Sequence, residues 1–367
     1  MNHISAFQLE YLWIDGGAKS RNHPDRDPTP KLRSKTKIEW CDALPSPGTA
    51  VLPLGDNHFP EWNFDGSSTN QATTEESDVL LLPVFTCPDP LRKRGNLLIL
   101  CETFQYNKLP HPTNTRARLR RAAEHYSAHE PLFGMEQEYT LMKDGRPLGF
   151  PPGGYPEPQG GYYCGVGCDE VFGSELVELH RQACIDAGLR ITGTNAEVMP
   201  GQWEFQIGPL PPLELADQIW VARWLLYRLG DRFDISATLQ PKPVKGDWNG
   251  ASGHMNFSTG AMMCSPDGIR VIYDVCEKLQ KFHKQHISVY GHENEHRLSG
   301  RHETCAIDEF RFGVGDRGAS IRIPHKVHKD KMGYLEDRRP AANADPYQVC
   351  TALLETVCGD GFTPTSD

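Results

Sequence analysis

The sequence predicts an α+β protein of two unequal parts, and three observations carry that prediction. Residues 1–109 alternate short apolar runs with polar, Gly- and Pro-punctuated connections. "NKLPHPTNT" (Asn107 to Thr115) then breaks the pattern with two prolines ahead of a polar cap, which marks a boundary. Residues 110–367 interleave helix-length amphipathic stretches with strand-length ones. The expected organisation is a small β-rich domain over 1–109 and a larger mixed domain over 110–367.

In chain order, "SAFQLEYLWID" reads as a strand that stops at Gly16-Gly17. "AKSRNHPDRDPTPKLRSKTK" is polar and Pro-punctuated and reads as an exposed loop. "DVLLLPVF" and "LLILCETF" read as buried strands, joined by the turn-rich "DPLRKRGN". Past the boundary, "TRARLRRAAEHYSAH" suits a helix, and "FGMEQEYTL" (Phe133 to Leu141) a strand. Gly and Pro dominate Pro151 to Gly167, so that stretch reads as a long loop. "DEVFGSELVELHRQACIDAG", "PLELADQIWVARWLLYRLG" and "SPDGIRVIYDVCEKLQKFHKQHI" read as helices whose apolar stripes are core contacts. The C-terminal "DGFTPTSD" reads as frayed.

Composition excludes several classes. The chain of 367 residues is 38% hydrophobic and 23% charged, an ordinary globular balance, and its formal charge of −10 argues against a dedicated nucleic-acid binder. The 11 cysteines are scattered, and Cys164 and Cys168, with three residues between them, lack zinc-ribbon or redox spacing. The N-terminus carries no secretory pattern, and no apolar run approaches the roughly 20 residues of a membrane helix. A soluble, cytoplasmic protein with reduced thiols and no nucleic-acid or membrane partner is expected.

The chemistry gathers in acidic and basic residues placed where structure alone does not ask for them. Strand alternation puts Glu136 and Glu138 on one face, where two like charges repel unless water or a cation meets them. In "GTNAEVMPGQWEFQIGP", Pro200 opposes a helix, so Glu197 and Glu204 are expected on two strands joined by a turn. Four carboxylates on predicted strands call for hard divalent ions, Mg²⁺ or Mn²⁺. His254, in "WNGASGHMNFST", could join them, although a lone histidine there is more often structural. Arg297, Arg301, Arg311, Arg317 and Arg322 fall within 26 residues, and "GYLEDRRP" adds Glu336, Arg338 and Arg339. Arginine pairs bidentately with phosphate and carboxylate, and an arginine inside the strand-like "SIRIP" is expected to have an anionic partner. A carboxylate-rich metal group facing arginines is the kit for metal-dependent phosphoryl chemistry. No P-loop and no protein-kinase signature set is present.

Seven motifs run in order along nearly the whole chain: "WNFDGSST", "FGMEQEYTL", "PQGGYYCGVG", "GTNAEVMPGQWEFQIGP", "DWNGASGHMNFST", "GRHET" and "GYLEDRRP". Together they closely resemble the eukaryotic-type glutamine synthetases. The resemblance implies an N-terminal β-grasp domain and a catalytic domain with a curved antiparallel sheet and flanking helices. It implies the ATP-dependent ligation of ammonia to the γ-carboxylate of L-glutamate through γ-glutamyl phosphate. It further implies two or three Mg²⁺ or Mn²⁺ ions per site, with Glu136, His254 and Glu336 on one ion and Glu138, Glu197 and Glu204 on another. Asn249, Gly250, Arg297 and Arg338 are implied to hold glutamate. Glu136, Glu204, Asn256, Ser258, Arg317, Arg322 and Tyr334 are implied to meet the nucleotide. Asp65 is implied to deprotonate ammonium, Glu303 to close the site, and Arg317 to stabilise the transferred phosphoryl group. The family also implies a homo-oligomer, a decamer of two pentameric rings with active sites between subunits.

The sequence departs from the family pattern at four places. Leu132 stands where tryptophan usually precedes "FGMEQ", a position that contacts adenine. "VGDRG" replaces "VANRG", bringing Asp316 beside Arg317, where an extra carboxylate is expected to weaken phosphate binding. "GASGHMNFS" replaces "GAGCHTNFS", and His325 follows "IRIP" in place of arginine. Two other readings stay open: a same-fold ligase for a larger amine, and a non-catalytic relative.

Overall fold

Alternation builds the first sheet. In β1 (Ser5–Ile14), Phe7, Leu9, Tyr11 and Trp13 lie two apart and are all buried. They meet Phe64 from β3 (Trp62–Asp65), Val79 and Leu81 from β4 (Asp78–Pro88), and Leu97, Ile99 and Cys101 from β5 (Leu97–Phe104). Each such side chain taken fully out of water contributes about 1.5–3 kcal/mol. With β2 (Leu32–Cys41) the strand order is β2-β1-β5-β4-β3. The pair β1 and β5 at its centre is parallel and the other pairs are antiparallel, consistent with the β-grasp expectation.

This computed structural model describes residues 5–17, 29–41, 59–92, 95–156 and 161–364. Its contacts divide into two units, Met1–Ala117 with Gln182–Leu189, and Arg118–Arg181 with Arg190–Asp367. Two sequence expectations need correction here. The polar stretch expected to be a loop is strand from Leu32 onward, because an edge strand with β1 as its one neighbour needs no second apolar face. Residues 18–28 of that stretch lie outside the described residues. Near the C-terminus, Phe362 is 3% exposed and its ring meets His286 edge-on at 5.8 Å, so this part of the tail is docked. Residues 365–367 lie outside the described residues.

The second sheet is organised by β6 (Leu132–Lys143). Phe133, Met135, Gln137, Tyr139 and Leu141 are buried on its back, while Glu136 and Glu138 share its front. β7 (Arg146–Pro147) pairs with the end of β6. β8 (Ile191–Ala196) and β9 (Gln202–Leu210) extend the sheet on one side, and β10 (Ser236–Thr238) also pairs with β6. On the other side follow β11 (Gly253–Ser258), β14 (Leu335–Asp337), β13 (Ile321–Ile323) and β12 (Phe312–Val314).

The helices are α1 (Thr115–His125), α2 (Ser174–Asp186), α3 (Pro212–Gly230), α4 (Gly260–Cys264), α5 (Gly268–Lys281), α6 (His283–Ile287), α7 (His325–Asp330) and α8 (Pro346–Cys358). Helix α3 is buried along most of its circumference, mainly by apolar side chains but with Asp217, Gln218 and Arg223 also enclosed, as it packs against β6, β9 and α8. The expected helix from Asp169 starts only at Ser174. Gly173 adopts φ +88 against Leu141, a conformation no helix can run through. The expected helix Ser265–Ile287 is split at Phe282 into α5 and α6. Among the described residues no helix is long and apolar enough to cross a membrane.

Candidate active site

Register brings the acidic residues together. β6 pairs with β9 so that Glu138 lies opposite Glu204, and with β11 so that Glu136 lies opposite His254. β11 pairs with β14 so that Asn256 faces Glu336, and β13 sets Arg322 opposite Glu336. Glu197 sits one residue past β8, in the turn, and its N–H donates to Gln202 O at 2.9 Å. The expectation of two strands joined by a turn holds, except that Glu197 belongs to the turn.

Two groups of possible metal ligands result. In Glu136, His254 and Glu336, and separately in Glu138, Glu197 and Glu204, one donor atom per residue lies within 4.8 Å of the others. Burial, then the charges of Glu138 and Glu204, push the Glu197 carboxyl up to about 9. Burial, then Glu136 and Glu138, push Glu204 up to about 8. Burial also raises Glu138, although Ser252 N–H, Ser252 Oγ and Gln202 Nε2 donate to it at 2.8, 2.6 and 3.1 Å. Buried carboxylates held this close cannot all ionise without a cation, so the donor set fits a hard divalent ion. Burial, then Arg338, hold His254 well below its ordinary value, leaving a neutral imidazole. Its Nδ1 stands 3.4 Å from Glu136 and 3.5 Å from Glu336.

Both groups open on one cavity of about 220 Å³, whose lining also includes Asn249, Gly250, Arg297, Glu303, Arg317, Arg322 and Arg338. Glu336 is held between Arg322 at 2.6 Å and Arg338 at 2.5 Å, the anionic partner expected for the strand arginine. Arg322 Nε is buried without a hydrogen-bond partner, a donor fit for an anion. Arg297 donates from Nε to Asn294 and from Nη2 to the carbonyls of Arg338, Arg339 and Pro340. Those contacts leave its Nη1 uncommitted. His302 and Glu303 both adopt positive φ, and Glu303 lies 3.7 Å from Arg317. Asn256, Ser258, Tyr334 and Leu132 line an adjoining cavity of about 360 Å³ with apolar walls from Phe133, Ile207 and Met263. Glu136 and Gln206 line both cavities.

Asp65 belongs to the first unit and caps a turn, accepting from Ser67 N–H at 3.0 Å, Ser67 Oγ at 2.6 Å and Ser68 Oγ at 2.8 Å. Those bonds hold its carboxyl below the ordinary value. Tyr163, Asn195, Gln206, Ser252, His302 and Thr304 also line the cavity shared by the two acidic groups and were not singled out in the sequence. Asn195 and Gln206 lie two residues from Glu197 and Glu204, a same-face signal that was available. Asp316, expected to disturb Arg317, instead pairs with Arg311 at 2.5 Å and accepts from Gly318 N–H at 2.9 Å. His325 lies over Gly315, where an added Cβ would meet its Nε2 at 2.1 Å. Two of the departures are thus one packing arrangement.

The family model described as the glutamine synthetase catalytic domain matches residues 112–288. A glutamine synthetase of Streptomyces viridochromogenes is 54% identical over 354 residues, 96% of this chain and 97% of its own. A chloroplastic glutamine synthetase of Chlamydomonas reinhardtii is 50% identical, over 95% of this chain and 90% of its own. One of Rattus norvegicus is 48% identical, over 95% and 89%.

Proposed function

The chain belongs to the glutamine synthetase family, and from that premise we propose that it ligates ammonia to the γ-carboxylate of L-glutamate through γ-glutamyl phosphate, with ATP as co-substrate. The observation that carries this reading is the meeting, in one cavity, of two cation-ligand groups and an arginine set. Glu136, His254 and Glu336 hold one Mg²⁺ or Mn²⁺, and Glu138, Glu197 and Glu204 the other. When bound, such ions neutralise phosphate charge and orient carboxylate and phosphate oxygens.

The residues divide the remaining work. Arg297, through Nη1, and Arg338 bind carboxylate oxygens of glutamate beside the Asn249-Gly250 backbone. Asn256, Ser258 and Tyr334 seat the nucleotide in the apolar cavity, and its phosphates reach towards Glu136 and Glu204. The γ-carboxylate oxygen attacks the γ-phosphorus and ADP leaves, with Arg317 and the unpartnered Nε of Arg322 stabilising charge on the transferred group. Asp65 of one copy takes the proton from ammonium at its neighbour's pocket. Ammonia then attacks the acyl carbon and phosphate leaves. Glu303 closes over Arg317 and excludes water, which protects the acyl phosphate from hydrolysis. The working assembly is a decamer of two pentameric rings, and the compartment is the cytoplasm.

The test is to incubate the protein with glutamate, ATP, Mg²⁺ and ammonium and to follow glutamine and phosphate together. Equal, ammonium-dependent yields are expected. Phosphate without glutamine would redirect the reading to another amine acceptor. No turnover with Mg²⁺ or Mn²⁺ would replace it by a non-catalytic role.

A further inference from the structure

Gln137 contradicts the face of the strand it stands on. Its neighbours on the back of β6, Met135 and Tyr139, are apolar, and Gln137 is 0% exposed among them. Its Oε1 accepts from Arg223 Nε at 2.9 Å and Nη2 at 2.6 Å. Its Nε2 donates to Glu138 O at 2.8 Å and Ala342 O at 3.0 Å. Arg223, on the buried helix α3, is itself 1% exposed. Its other partners are the carbonyls of Ala342 and Ala344 at 3.1 and 3.0 Å and the ring of Trp220, 4.7 Å from the guanidinium.

A guanidinium buried among neutral hydrogen-bond partners carries a large desolvation penalty unless something offsets it. Burial lowers it to about 10, so it stays charged at neutral pH. Tyr227 and Asp345 counter part of that cost, and what the clamp holds lies across the strand. Gln137 separates Glu136 and Glu138, which face the other way and belong to different ligand groups. The carbonyls that Arg223 grips lie five and seven residues past the end of β14, which bears Glu336, and Ala342 N–H in turn donates to Ala251 O, just ahead of β11 and His254. One buried cation thus ties α3 to the segments that carry ligands of both groups.

We propose that Arg223 is a positioning residue for both cation groups: through Gln137 it fixes the orientation of β6, so that Glu136 and Glu138 present their carboxylates to separate ions. This inference rests on the proposed cation sites.

The test titrates Mn²⁺ into the full-length protein without substrates, following free Mn²⁺ by electron paramagnetic resonance, with circular dichroism and thermal melting in parallel. Arg223→Lys keeps the charge and loses the fork, and Gln137→Met keeps the volume and loses the acceptor. Both are expected to fold and to bind Mn²⁺ about 10–100-fold more weakly at both groups, the usual cost of removing support behind a metal ligand. Tyr11→Phe breaks the bond that Tyr11 Oη donates to Pro60 O at 2.8 Å in the first sheet, away from both groups in sequence, and is expected to lose stability while keeping Mn²⁺ affinity. Folded variants that bind like the wild type would overturn the inference alone. So would failure of both variants to fold with Mn²⁺ saturating, which would make the clamp a requirement of folding. A wild type that binds no Mn²⁺ would remove the proposed function with it.

Discussion

At the scale of single residues, the departures from the family pattern are local rearrangements with measurable coupling. Gly315 combines φ +67 with the ring of His325 above it. Gly315→Ala is expected to cost about 1–3 kcal/mol by overpacking, together with about 1–2 kcal/mol for a left-handed backbone. In an His325→Ala background the overpacking part should vanish, which a double-mutant cycle in urea will read as coupling. Asp316→Ala should cost about 1 kcal/mol or less, because its pair with Arg311 is exposed, and should leave the KM for ATP unchanged. The acidic residues of the two groups were legible because a charge on a strand needs a reason. Ser252 and Gln202, which carry Glu138, were not, because neutral residues in such places raise no question.

At the scale of elements, packing decides what titrates. His180 on α2 is fully buried and shares a hydrogen bond of 2.9 Å with Ala222 O on α3. Burial pushes its imidazole down to about 4, against about 6.5 in an unfolded chain. Between those values the unfolded state binds the extra proton, so stability is whole above about 6.5 and falls as pH drops towards about 4. Urea midpoints measured across that window should fall, and His180→Gln should flatten the slope. Helix interiors and strand alternation were readable from the sequence, since both follow from period. The ends were not: α2 starts late because of the backbone at Gly173, and the α5–α6 break follows from φ and ψ at Phe282. β2 escaped because an edge strand leaves little apolar trace.

At the scale of the whole molecule, cation binding and assembly make three further predictions. Saturation with Mg²⁺ or Mn²⁺ should raise the melting temperature relative to EDTA, by about 2.7 kcal/mol of stability at a hundred times Kd. Glu204→Gln should lose much of that shift and reduce turnover severely, without destabilising the metal-free protein, because it relieves a crowded set of carboxylates. If each site draws on two copies, co-expressed Asp65→Ala and Glu204→Gln chains should recover about one quarter of wild-type activity in mixed assemblies, whereas either alone stays inactive. The two sheets were foreseeable in kind, but the strand order β12-β13-β14-β11-β6-β9-β8 joins segments far apart in the chain, and no local pattern encodes that order.

The glutamate–glutamine–glutamate run of β6 has a consequence for folding errors. A slip of two residues along β9 and β11 returns one glutamate to the other's place and preserves the front–back alternation, so alternation alone does not forbid the shifted pairing. What changes is the residue presented to Arg223: Met135 or Tyr139 would arrive there, leaving a buried cation without its acceptor. Gln137 is the mark by which the chain reads its own alignment.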